Sequence, residues 1–439
     1  MRKNTFIICL FTIFLPEADF AQTINKAKLD SFFTSLAINN KAMGSIAISK
    51  NGELLYRNAI GFSLYSDDKK IPATENSKYR IGSVSKIFTA AIVFQLIDEG
   101  KTSLATRLEK YFPQYPNSSM ITIRNLLNHT SGIRNITSVS LKGTPRTEEE
   151  MLTIMAEKIP KFKPDKKSSY SNSNFLLLGY IIEKICGKPY ADVLEERIVS
   201  KIGLSNTYYG HAADTEKNEC LPYRFNKDWK QQPQTDLSIP GASGGLISTP
   251  TDMVFFMEAL FSKKIVSENS LNQMKNITDG EGMGLREFEF DKKKVLGYIG
   301  RIDEYESVLA YFPGDSLAIA LCSNGRVYPM QGIVIGSLNI YFDKIYSIPD
   351  FKLSTIKPAH LKKYTGVYAS SEIPVRIKIS RHKQNLIAQP SGYSSYPLEA
   401  IGFDKFKNDE ASVAIEFDPR KNAMRLRRGD MSYVFIKEN

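Results

Sequence analysis

After Lys86 the chain places Ile87, Phe88, Ala90, Ala91, Ile92, Val93, Phe94, Leu96 and Ile97 in one run. These cover nearly every face of a helix, the pattern of an element buried inside a domain rather than lying on its surface. Asp98-Glu99-Gly100 ends it, Gly100 suiting the left-handed position past a helix end. Earlier, residues 23–39 read as an amphipathic helix. Residues 45–49 and 53–59 alternate as two strands joined at Asn51-Gly52, the pair a tight hairpin turn prefers. Residues 104–133 are short segments broken by prolines, and 164–172 a turn-rich loop that leads into a helix from about Ser173 to Gly187. A glycine-rich stretch at 241–248 precedes Thr249-Pro250-Thr251-Asp252, an N-cap hydroxyl, a first-turn proline and a first-turn carboxylate. Asp252 is therefore read as structural. Residues 309–312 and 317–323 form a second antiparallel pair across Pro313-Gly314-Asp315, and a closing helix spans 330–346.

With hairpins at both ends and helices between them, the simplest arrangement is one antiparallel sheet built from the two ends and flanked by helices, an α/β (α+β) fold. The texture changes after Ile348-Pro349-Asp350. Short alternating strands at 375–380, 385–389, 413–417, 424–428 and 432–436 predict a small all-β domain, a barrel or a sandwich. The expected layout is one domain over 22–347, a linker over 348–356 and the β-domain over 357–439. Arg425, Arg427 and Arg428 read as a solvated strand face.

Composition sharpens the picture only at a few points. The 439 residues, 42% hydrophobic and 24% charged, are ordinary globular material. Met1-Arg2-Lys3-Asn4, the apolar run 5–15 and Ala18-Asp19-Phe20-Ala21 have the order of an export signal, residues 1–21, and imply a periplasmic or secreted protein. The run is too short to span a bilayer comfortably. The net charge of +11 is spread over lysines in ones and twos, which speaks for solvated faces and against a nucleic-acid surface. Cys186, Cys220 and Cys322 read as buried thiols with one disulfide at most. The four histidines form no ligand cluster, so neither a metal nor a cofactor is expected.

The candidate chemistry sits where the central helix begins. Ser83 and Lys86 lie three residues apart, on one helix face, so the amine can reach the hydroxyl. A serine hydroxyl is a weak nucleophile until a base takes its proton, and a lysine whose pKa is lowered by burial and a helix N-terminus can do so. Spacing alone is weak: the same pattern occurs at Ser66/Lys69, Ser354/Lys357 and Ser380/Lys383. Ser83 differs in being carried by an apolar helix after Gly82, which leaves room for close backbone approach. Tyr170 and Asn172, two apart on extended backbone, point the same way, although Tyr56-Arg57-Asn58 repeats the letters in a strand. His129 reads as a residue that ties down its loop by hydrogen bonds.

Five motifs in order carry a family likeness: Tyr79-Arg80-Ile81-Gly82-Ser83-Val84-Ser85-Lys86, the Leu126-to-Gly132 stretch, Tyr170-Ser171-Asn172, Gly244-Gly245-Leu246-Ile247-Ser248-Thr249 and Tyr311-Phe312-Pro313. Over residues 30–345 the chain resembles the serine hydrolases of the β-lactamase and penicillin-binding-protein superfamily, in its class C-like branch. The end of the chain resembles the small β-domain often appended to them. The resemblance implies that Ser83 attacks a carbonyl and holds the acyl group, that Lys86 assists its deprotonation, that Tyr170 shuttles the proton to the leaving group, and that Asn172 bonds substrate and Lys86. It leaves open whether Lys86 or Tyr170 is the base. A tyrosine base needs its pKa drawn well below ~10 by a cation, for which Lys86 is the obvious candidate.

The family's third motif, a lysine or histidine, one variable residue and a glycine, stands here as Tyr298-Ile299-Gly300, followed by Arg301. Gly300 keeps the close approach, and the N–H groups of Ser83 and Arg301 are implied as an oxyanion hole. Tyr298 brings no positive charge to a substrate carboxylate. The expectation is therefore an exported serine hydrolase acting on a small-molecule or peptide ester or amide, esterase or D-aminoacyl peptidase ahead of β-lactamase. The alternative is a non-catalytic binding or sensor protein for peptidoglycan fragments that has kept the fold.

Overall fold

The computed structural model describes residues 24–136, 146–278, 280–351, 358–383, 385–409, 411, 413–428 and 431–438. The export signal read at 1–21 and residues 352–356 of the expected linker lie outside them.

The first helix, α1 (Lys26–Ile38), is capped by the Asn25 side chain, which accepts a hydrogen bond from Lys28 N, and buries Leu29, Phe32, Phe33 and Leu36. Strands β1 (Ala42–Lys50) and β2 (Glu53–Ile60) follow as a hairpin. Asn51 and Gly52 take φ of 54° and 83°, the left-handed pair that such a turn requires. Helix α2 (Ser85–Asp98) is buried along almost its whole length and ends, as its sequence predicts, with Gly100 at φ 70°. Helix α3 (Asn172–Cys186) stops at Gly187 in the same conformation, and α4 (Pro250–Phe261) starts from Thr249, whose hydroxyl accepts from Asp252 N. Then come β3 (Arg286–Phe290), β4 (Lys293–Ile302), β5 (Tyr305–Phe312), β6 (Leu317–Arg326) and α5 (Met330–Tyr341).

The two chain ends do build one sheet, antiparallel and six-stranded, in the order β3-β4-β5-β6-β1-β2. Its seam is the pairing of β1 with β6, Ser45 opposite Cys322. Both faces are covered, which is why β1 is buried on successive positions rather than alternate ones. Ile46 and Ile48 pack with α1 and α5 on one side; Ala47 joins the helical layer of α2, α3 and α4 on the other. In that layer Phe88 of α2 stacks on Phe256 of α4 with ring centroids 3.6 Å apart.

Helix α5 stops short of the 346 expected from its apolar pattern. Asp343 adopts φ 50°, and Lys344 N donates to Asn339 O at 2.8 Å, closing the helix; Tyr346 then packs its ring edge-on against Phe32. The C-terminal region is a closed barrel of eight strands, which resolves barrel against sandwich. The three strands that alternation did not reveal, Gly366–Ala369, Tyr396–Gly402 and Lys405–Asn408, are short or carry few apolar residues, and each still turns a large side chain (Tyr368, Leu398, Phe406) into the barrel core. Arg425, Arg427 and Arg428 lie on its solvated face.

Candidate active site

Ile81 to Val84 form the junction that aims Ser83. Gly82 takes φ 51°, a short 3-10 turn spans Gly82–Val84, and α2 begins at Ser85, so Ser83 stands just before the helix rather than within its first turn. Two neighbours hold this turn. Leu246 N donates to Ser85 Oγ, and the strand Leu246–Ser248 pairs with Tyr79–Arg80, bringing the 241–245 glycines against it. On the other side β4 passes so close that a Cβ on Gly82 would lie 2.8 Å from Arg301 N, and one on Gly300 would lie 1.9 Å from Ile81 O. Ser307 Oγ of β5 donates to the same Ile81 oxygen at 2.7 Å.

Four of the residues singled out in the sequence meet here. Ser83 Oγ is 2.7 Å from the Tyr170 hydroxyl and 3.1 Å from Lys86 Nζ. Lys86 Nζ donates to Asn172 Oδ1 at 2.8 Å and to the Ser243 carbonyl at 2.6 Å; Tyr170 also donates to Asn172 Oδ1 at 2.8 Å. Asn172 is itself fixed through its backbone N–H, which donates to Asn135 Oδ1. Ser243 and Asn135 were not picked out by sequence: the first acts through its carbonyl, which any residue supplies, and the second sits on a separate loop.

The electrostatics separate the two candidate bases. Lys86 is completely buried, and desolvation holds its amine well below the ordinary value of 10.5, with Glu281 opposing the shift and Arg286 adding to it. A neutral amine has two N–H bonds and one lone pair. With its two N–H bonds given to the carbonyls of Asn172 and Ser243, the deprotonated amine would turn its lone pair to Ser83. Tyr170 moves the other way. The acidified phenol that a tyrosine base requires is not what the structure holds: burial pushes it up to about 12, against the opposing hydrogen bond with Ser83 and the charge of Arg286. Tyr170 is therefore a neutral phenol at physiological pH, able to relay a proton but not to begin by removing one.

His129 ties the site together from behind. Its Nδ1 accepts from Ser171 N at 3.3 Å and lies 3.2 Å from Asn174 Nδ2, and its ring packs 4.9 Å from that of Tyr170. Burial, with Lys86 and Arg286 nearby, holds its pKa at about 3, so it stays neutral. Gly300 and Arg301 sit at the edge of β4 beside the Ser83 turn. The Arg301 side chain turns outward to Glu306, which also binds Arg326. Tyr298 faces the same way as Gly300 but is 2% exposed, and its hydroxyl has no hydrogen-bond partner among the described residues. A cavity of about 170 Å³ opens beside Ser83, its apolar wall made by Ile136, Met151, Leu176, Ile239 and Ile302; Tyr298 does not line it. Among the described residues no group of histidine, cysteine and acidic side chains is placed to hold a metal ion, and Cys186, Cys220 and Cys322 are free thiols.

A family model, Beta-lactamase, matches residues 37–334. The chain is 24% identical over 428 residues to penicillin-binding protein 4* of Bacillus subtilis, covering 90% of this chain and 94% of that one. It is 28% identical over 249 residues to the teichoic acid D-alanine hydrolase of Staphylococcus aureus, covering 56% of this chain and 60% of that protein. Among solved structures, the octameric penicillin-binding protein homologue from Pyrococcus abyssi superposes with a TM-score of 0.68 at 24% identity, over 94% of this chain and all of that one. The fold and the match across the sheet and helical layer lead to one conclusion: the chain belongs to the β-lactamase family, within the serine hydrolase superfamily.

Proposed function

We propose that this chain is an exported serine hydrolase that cleaves small esters or amides, D-aminoacyl derivatives among them, through an acyl-enzyme on Ser83. The observation that carries this reading is the placement of Ser83 Oγ within hydrogen-bonding reach of both Lys86 Nζ and the Tyr170 hydroxyl, with burial holding the amine's pKa well below its ordinary value. The likeness to a D-alanine hydrolase and to a penicillin-binding protein supports the D-aminoacyl class. The basic, apolar, small-residue order of 1–21 supports export.

In the proposed reaction the Lys86 lone pair takes the Ser83 proton as Oγ bonds to the substrate carbonyl carbon. The resulting oxyanion faces the backbone N–H groups of Ser83 and Arg301. Tyr170 gives its proton to the leaving oxygen or nitrogen as that bond breaks and recovers one from the Lys86 ammonium, with which it shares Asn172 Oδ1. Water then attacks the acyl-enzyme, its proton returns through the same groups, and the acid is released with Ser83 restored. Because position 298 supplies a phenol in place of a cation, β-lactams and other carboxylate-bearing substrates rank below neutral esters and amides.

The test is a hydrolysis screen of the mature protein on short p-nitrophenyl esters, D-aminoacyl amides and β-lactams, with fluorophosphonate labelling. The expected result is turnover of esters or amides and label on Ser83, with Ser83→Ala lower by at least about 10³-fold. Absence of both label and turnover overturns the reading. Cell-wall fragments bound equally by wild type and Ser83→Ala, with neither turning them over, would mark a sensor instead.

A further inference from the structure

Beside Tyr170 lies a charged pair that the proposed reaction does not use. Arg286, at the start of β3, places its guanidinium 5.9 Å from the centre of the Tyr170 ring and 5.5 Å from that of Tyr298, between the proposed proton relay and the phenol that occupies the third-motif position. It is the cation that position 298 lacks, delivered from the neighbouring strand. It is not free. Glu281, whose side chain is only 11% exposed, forms an ion pair with it. The turn between them is pinned: Gly284 has φ 87°, and a Cβ there would lie 2.3 Å from Ala90 Cβ on the helix that carries Lys86. The Tyr298 hydroxyl, buried and unpartnered among the described residues, receives no hydrogen bond from the guanidinium.

Resting on the reading of this site as a hydrolase, we infer that Glu281 is a specificity-determining residue: by neutralising Arg286 it selects substrates whose leaving group carries no carboxylate. A guanidinium with its charge already matched offers no net attraction to an anion, and the Glu281 carboxylate adds repulsion. A neutral amide or alcohol leaving group meets neither penalty. Replacing Glu281 by an uncharged residue of the same shape frees the fork-shaped donor for a carboxylate beside Tyr170.

The test compares two substrates that differ only at the leaving group, a D-alanyl depsipeptide ending in a free carboxylate and the same compound ending in a carboxamide. Glu281→Gln is expected to raise the carboxylate-to-carboxamide ratio of kcat/KM by about ten- to hundredfold, the span of one charge-assisted hydrogen bond. The double variant Glu281→Gln/Arg286→Gln is expected to return the ratio to within about threefold of wild type, since the neutral pair it leaves resembles the masked one. An unchanged ratio in a folded Glu281→Gln protein overturns the inference. So does a wild type that already favours the carboxylate and loses that preference in the double variant, a measurement that stands even where the single variant does not fold. Loss of all turnover relative to Ser83→Ala would overturn the hydrolase reading, whereas turnover of the carboxamide with no gain in the variant overturns only the role of Glu281.

Discussion

Lys86 shows how one side chain acquires chemistry from its surroundings. Its folded-state pKa is depressed, so between that value and the unfolded value of 10.5 the unfolded chain binds a proton that the folded chain does not. Folding is opposed across that window, and the opposition fades as pH rises to 10.5. The melting temperature of wild type relative to Lys86→Met is therefore expected to increase as pH is raised from about 7 to about 10; a flat or falling difference in thermal melts would contradict a depressed amine pKa. The same protonation sets an acid limb on kcat/KM, with activity falling as Lys86 charges. Tyr170, held at about 12, adds no limb near neutrality, and Tyr170→Phe is expected to lower kcat by about 10²- to 10⁴-fold without moving that acid limb. At this scale the sequence was legible where function is carried by named side chains at helical or extended spacing, as with Ser83 and Lys86. It was silent on Ser243, which contributes a backbone carbonyl, and on Arg286, whose place beside Tyr170 is set by strand pairing with β4 rather than by local spacing.

At the scale of elements, the contact that matters is between β4 and the Ile81–Val84 turn. The strand lies against the turn only because position 300 has no side chain: a Cβ there would meet Ile81 O at 1.9 Å and Ser307 Oγ at 2.5 Å. Gly300→Ala must push the strand off the turn. It is expected to cost about 1–3 kcal/mol in urea melts, as overpacking does, and about 10²-fold in kcat/KM through misplacement of the Arg301 N–H. A variant with normal activity would show that the strand edge is not part of the site. The hairpin at Asn51-Gly52, the stop at Gly100 and the cap at Thr249 were readable because each depends on a few adjacent residues. The end of α5 was not: apolar residues continue past Tyr341, and it is the packing of Tyr346 on Phe32 that turns the chain away.

For the whole molecule, the barrel is fastened to the sheet by a charge cluster in which Lys41, Lys407 and Asp409 are buried and Glu399 is partly exposed. Lys41, just before β1, pairs with Asp409 at 3.1 Å and with Glu399 at 3.7 Å, while Lys407 reaches Asp409 at 3.1 Å. The ring of Phe351 lies between the two lysines, 5.4 Å from one ammonium and 4.6 Å from the other. Asp409→Ala takes this partner from the buried Lys407 ammonium and leaves Lys41 with the part-exposed Glu399, and is expected to destabilise the protein by about 3–5 kcal/mol, read as a lower urea midpoint; a shift under about 1 kcal/mol would mean that the domains are held by other contacts. Local sequence determined the helices, the hairpin turns, the antiparallel fold class and the spacing of Ser83 with Lys86, because these follow from residues within a turn or two of one another. Tertiary structure alone decided that the Lys86 amine is held well below its ordinary pKa and that Tyr170 is not acidic, that Arg286 stands where position 298 has no charge, and that the barrel docks through Lys41. Each of these depends on desolvation and charge supplied by segments distant along the chain, and no local pattern encodes the burial that sets them.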